Sequence, residues 1–109
     1  MPRPHMSAQE RAFRSLLAKM VHEQPMVHAT LNPRSVTCGN PGCRCARGER
    51  HAALYLVFRR EGHLHQLFVP ASLEAQVRQW VATDHAVRAL LDEVSRLTLE
   101  RLQALKKRT

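Results

Sequence analysis

Leu54-Tyr55-Leu56-Val57-Phe58-Arg59-Arg60-Glu61-Gly62-His63-Leu64-His65-Gln66-Leu67-Phe68-Val69-Pro70 is the stretch that decides the fold class. Two runs rich in leucine, valine and aromatic residues flank Glu61-Gly62, and so short a glycine-containing connection predicts a β-hairpin. With a two-residue loop, Arg60 faces His63, and the register places Leu54, Leu56, Phe58, His65, Leu67 and Val69 on one side, the expected core face. Tyr55, Val57, Arg59, Leu64, Gln66 and Phe68 take the other side. That mixed surface suits either partial cover by a helix or contact with a partner. Pro70 closes the hairpin, because proline has no amide hydrogen to continue a ladder.

Upstream, Ser7-Ala8-Gln9-Glu10 has the form of a capping box and predicts a helix over 7–23, with Phe13, Leu16, Leu17, Met20 and Val21 as its apolar stripe and Pro25 beyond its end. Residues 1–6 are expected to be a disordered extension, with Met6 an alternative start. Between the helix and the hairpin, Asn32-Pro33 interrupts a β-branched stretch, leaving one short strand expected over Arg34 to Thr37. Downstream, Ser72 can cap a helix carrying Leu73, Val77, Trp80 and Val81. A second capping signal at Thr83-Asp84 precedes Val87, Leu90, Leu91, Val94, Leu97, Leu102 and Leu105, so the helix either bends or divides there. This last apolar series, at spacings of three and four, is expected to pack on the N-terminal helix or to associate with a partner or second copy through Leu91, Val94, Leu102 and Leu105.

The chain has 109 residues, a length that excludes a large cofactor-binding enzyme and fits a single small domain over 7–109. Its 17 Lys and Arg against 9 Asp and Glu leave a formal charge of +8, which favours polyanionic partners. Arginine outnumbers lysine 14 to 3, and the planar guanidinium fork grips phosphates better than a point charge does. Five of the eight units fall within Arg34 to Arg60. No apolar run approaches the length of a membrane span and no apolar signal core opens the chain, so a cytoplasmic protein is expected, without membrane association.

All three cysteines lie in Cys38-Gly39-Asn40-Pro41-Gly42-Cys43-Arg44-Cys45-Ala46-Arg47-Gly48-Glu49-Arg50-His51. Three thiolates and one imidazole complete a tetrahedral zinc shell, and the glycines and Pro41 supply the turns that bring near neighbours round one ion. Cys38, Cys43, Cys45 and His51 are therefore the expected ligands of a structural Zn2+ in a zinc-knuckle-like loop. A closed shell leaves no open position for catalysis. His28, His63 or His65 could replace His51 if the hairpin folds over the loop, and free thiols, a disulfide or an iron-sulfur cluster are the alternatives to zinc. Arg44, Arg47 and Arg50, with Arg59 and Arg60, are the expected phosphate contacts around this loop.

At the cysteine core the chain resembles an uncharacterised family of short bacterial, phage and mobile-element proteins. The resemblance rests on Cys38-Gly39, Pro41-Gly42-Cys43-Arg44-Cys45-Ala46-Arg47-Gly48, His51, Val69-Pro70 and the helix through Trp80. Ala52-Ala53 stands where that family usually has Gly-Pro, and the following strand has a single tyrosine, Tyr55. The resemblance implies a small zinc-stabilised accessory domain, with nucleic-acid binding by association.

The expected fold is α+β: an N-terminal helix, the cysteine loop, a β-hairpin or three-stranded antiparallel meander, and a C-terminal helix or helix pair. The expected function is nucleic-acid binding, with DNA favoured over RNA by the family context. A protein-interaction or dimerisation adaptor is the alternative. No enzymatic constellation and no nucleotide fingerprint is legible, so neither catalysis nor a small-molecule substrate is expected. Because aromatics are only 5% of the chain and do not interleave with the basic residues, stacking on single strands is not the expected main mode.

Overall fold

A computed structural model of the chain describes residues 6–36 and 51–108, and for Val36 and His51 it describes the backbone alone. Helix α1 spans Ala8–Glu23, strands β1 Thr30–Val36, β2 His51–Arg60 and β3 His63–Val69 follow, and helix α2 runs Glu74–Arg108 after one 3-10 turn. The strands form an antiparallel sheet in the order β1-β2-β3, so the fold is α+β with a meander. The chain divides into two compact units, one of residues 27–81 and the other of residues 1–26 with 82–109.

In the sheet unit the hairpin turns at Glu61 and Gly62, both at positive φ, 54° and 80°. Two consecutive left-handed residues make the turn whose twist matches the flanking strands. Arg60 pairs with His63, Phe58 with His65, Leu56 with Leu67 and Leu54 with Val69. β1 is longer than the expected Arg34 to Thr37 and takes in Asn32-Pro33, with Pro33 opposite Leu54. An edge strand tolerates this proline, because an amide turned away from its one partner strand has no ladder bond to lose.

Leu54, Leu56 and Val69 are buried with Ala29 and with Val77 and Val81 of α2, and Val27, Leu31, Phe58 and Trp80 pack around them. The Val27 amide donates to the Trp80 carbonyl at 3.2 Å, tying the approach to β1 onto the first turns of α2. The expected core face is thus only half used. Leu67 is 57% exposed and His65 is exposed. α2 starts just after Val69 and covers that end of the face alone, while at the hairpin end Phe58 stacks on His65 with ring centroids 5.4 Å apart.

In the helical unit Ser7 caps α1 by accepting from the Glu10 amide at 3.1 Å. The reciprocal half of the capping box does not form. The Glu10 carboxylate, 2% exposed, instead accepts from Arg14 at 3.1 Å and from Arg101 of α2 at 3.0 Å, and so joins two helices rather than closing one turn. Near the other end Thr83 Oγ1 donates to Gln24 Oε1 at 3.3 Å, which sets α1 antiparallel to this part of α2.

Of the two readings of the capping signal at Thr83-Asp84, division of the helix is not seen, and α2 is a single helix. Both side chains are buried and engaged elsewhere, Thr83 on Gln24 and Asp84 on Arg88 one turn on at 3.1 Å, so neither is spent as a cap. The apolar series on α2 splits into two sets. Val87, Leu90, Val94 and Leu97 lie on the buried or half-buried side, whereas Leu91, Leu99, Leu102 and Leu105 are exposed. Val94 therefore leaves the expected partner face.

Candidate functional site

Strand alternation gives the sheet a second face, opposite the one that α2 covers. Arg34 of β1, Tyr55, Val57 and Arg59 of β2, and Leu64, Gln66 and Phe68 of β3 share it, because Tyr55 pairs with both Asn32 and Phe68, and Arg59 pairs with Leu64. Of the two possibilities for this surface, cover by α2 is excluded, since Val77 and Val81 pack on the Leu54, Leu56 and Val69 side. Leu64 and Phe68 are exposed, at 58% and 53%.

Three side chains on this outer face form a connected group. The Arg34 guanidinium carbon lies 4.8 Å from the Tyr55 ring centroid, within cation–π range. The Tyr55 and Phe68 rings meet edge to face, with centroids 5.8 Å apart and planes at 66°. Tyr55 is thereby clasped between a cation and a second ring, and neither Arg34 nor Phe68 has to be ordered from a free rotamer ensemble on meeting a ligand.

The charges sort by element. The three strands hold no acidic residue. On α2, Arg78 pairs with Glu74, Arg88 with Asp84, Arg96 with Glu93 and Glu100, and Arg101 with Glu10. Hydrogen bonds that Arg96 donates to Glu93, reinforced by the Glu93 charge and by Glu100, raise the Arg96 pKa above its ordinary value and hold that cation in place. Among the described residues, Arg34, Arg59 and Arg60 form no ion pair with a carboxylate. Arg14, Arg78, Arg88, Arg96 and Arg101 of the helices each meet a carboxylate; among the described residues, the strand arginines do not.

The expected five-arginine cluster divides. Arg59 is on the outer face, but Arg60, its neighbour, falls on the opposite side across from His63. Arg34, which the sequence reading left out of the cluster, joins Arg59 on the outer face. Arg59 lies six positions along β2 from Ala53, the partner of Arg34, so the two arginines bracket about 20 Å of sheet. Arg44, Arg47 and Arg50 lie outside the described residues.

Cys38, Cys43 and Cys45 also lie outside the described residues. His51 opens β2, and its Cα partner is Val36, two positions before Cys38. His63 and His65 face Arg60 and Phe58, about 30 and 23 Å along β2 from His51. Among the described residues, no cluster of three or more His, Cys, Asp or Glu could hold a metal.

A groove of about 780 Å³ lies in the helical unit, lined by Ser7, Glu10, Leu97, Arg101 and Leu105 among others. Its Glu10 and Arg101 bond to each other at 3.0 Å. No described helix is long and apolar enough to cross a membrane.

A family model described as a domain of unknown function (DUF6788) matches residues 7–79, from the α1 cap through the sheet to the start of α2. No curated protein and no solved structure matches the chain.

Proposed function

The chain belongs to the DUF6788 family, and on that premise we propose that it is a small zinc-stabilised nucleic-acid-binding protein whose contact surface is the outer face of the sheet. The observation that carries the proposal is the outer face, on strands without an acidic residue, where Arg34, Tyr55 and Phe68 meet and which Arg59 shares. A polyanion meets there two arginines with no carboxylate partner among the described residues. Arg44, Arg47 and Arg50 remain proposed phosphate contacts on the charge of the sequence alone.

Zinc held by Cys38, Cys43, Cys45 and His51 is part of this proposal. The pairing of His51 with Val36 supports His51 as the fourth ligand over His63 or His65. The role is structural, since four protein ligands leave no open coordination site. DNA is favoured over RNA, and a mobile-element or phage accessory role in the cytoplasm is favoured, on the motif resemblance alone.

Fluorescence anisotropy with a labelled oligonucleotide over a range of salt tests the proposal. Affinity is expected to fall steeply with ionic strength through counterion release, and Arg34→Gln with Arg59→Gln should lower the logarithmic salt slope by about 2. No binding at low salt would defeat it.

The exposed leucines of α2 favour a second reading, an adaptor that associates through this helix. Leu91 and Leu102, 47% and 58% exposed, stand three turns apart on one face. On this reading the wild type is a dimer in light scattering, Leu91→Glu with Leu102→Glu yields a monomer, and salt has little effect. A monomeric wild type would end it.

A further inference from the structure

We infer that the outer sheet face takes single-stranded nucleic acid, with an unpaired base stacked against Phe68 and phosphates held by Arg34 and Arg59. The inference rests on the nucleic-acid reading above and narrows its substrate. It reverses the expectation drawn from composition. Aromatics are sparse along the chain, but antiparallel pairing sets Phe68 directly beside Tyr55, and β1 brings Arg34 over the Tyr55 ring.

Four features favour a single strand. Phe68 leaves over half of its side chain exposed while its edge contact with Tyr55 orients the ring. Gln66, the next outward residue on β3, is exposed and offers both a donor and an acceptor to a base edge. Leu64, one outward position further, continues the apolar row. Arginines bracket the row about 20 Å apart, with no acidic residue on any strand. A duplex cannot use this arrangement cheaply, because its bases are already stacked on one another and only an extruded base could reach Phe68. An unpaired base gains stacking at no such cost, and any base will serve, since each has a π face.

The test uses the full-length, metal-replete protein with three labelled probes at low salt: a dT 12-mer, an rU 12-mer and a 12-base-pair duplex. At least one single strand should bind tenfold or more tighter than the duplex, and the two single-stranded arms decide between DNA and RNA. Phe68→Leu should weaken single-strand binding by about fivefold to a hundredfold, the range for loss of one stacked base, and leave duplex binding unchanged. Phe68→Trp should retain it. The exposure of Phe68 means that neither variant should shift the thermal transition, which circular dichroism checks. Equal or tighter duplex binding, with the arginine dependence intact, overturns stacking and spares nucleic-acid binding. Failure of all three probes overturns both. If Phe68→Leu instead converts a dimer into a monomer, the face is an interface between copies and the inference falls.

Discussion

A strong chelator, which would strip the proposed zinc, is expected to abolish the cooperative thermal transition of the sheet unit and most of the β signal in circular dichroism. The buried core of that unit is small: Ala29, Leu54, Leu56, Val69, Val77 and Val81. β1 and β2 are joined by residues 37–50, a connection far longer than a tight hairpin turn, and closing it costs entropy that the pairing of Val36 with His51 must offset. An ion bound by Cys38, Cys43, Cys45 and His51 would clamp that end. Structural zinc contributes about 10–16 kcal/mol of apparent binding free energy in zinc-finger peptides, comparable with or larger than the whole stability of a typical domain. Cys43→Ser should reproduce the loss. His51→Ala should weaken zinc retention and lower the melting temperature without abolishing either, since three thiolates remain. Elemental analysis with native mass spectrometry should find one zinc per chain; a melting curve indifferent to chelation would remove zinc from the account.

Leu56→Ala is expected to be the most damaging single substitution in the described core, at about 2–5 kcal/mol in urea unfolding. Leu56 sits on the central strand, buried, with Leu31 and Leu67 as its cross-strand partners. Its removal leaves a void that a three-stranded sheet under one helix has little material to fill. Against a typical total of about 5–15 kcal/mol, the fall in melting temperature should be on the order of 10 °C or more. Leu67→Ala is the control. Leu67 shares the face and faces Leu56, yet is mostly exposed, so its loss should cost under about 1 kcal/mol. Equal costs would mean that the hairpin end of the face is covered.

Much of the fold is legible locally. Ser7 and Pro25 bound α1 because a cap and a breaker act within one turn. Glu61-Gly62 sets the hairpin register because a two-residue loop allows only one pairing in phase with the apolar alternation. What escapes the sequence depends on partners far along the chain. Pro33 reads as an interruption until β1 is known to be an edge strand. Thr83 and Asp84 read as a cap until Gln24, 59 residues away, and Arg88 engage them. Glu10 reads as half of a capping box until Arg101, 91 residues away, claims its carboxylate.

The candidate surface follows the same rule. Arg59 and Arg60 are adjacent in sequence and therefore fall on opposite faces, while Arg34, Tyr55 and Phe68 are remote in sequence and meet. The Tyr55–Phe68 half of that group was within reach of the hairpin register. Arg34 was not, because the partner and phase of β1 have no local signal. The cysteine motif is read from spacing alone, since Cys38, Cys43 and Cys45 lie outside the described residues and the sheet places only the backbone of its boundary residue His51.

The central claim is that nucleic acid binds the outer sheet face and not the helices. The most direct test is amide chemical-shift mapping as a single-stranded oligonucleotide is added at low salt. The largest changes should fall at Arg34, Tyr55, Arg59, Gln66 and Phe68, while Arg78, Arg88 and Arg96, each paired to a carboxylate on α2, should stay in place. Changes centred on α2 around Leu91 and Leu102, or none on the sheet, would contradict it.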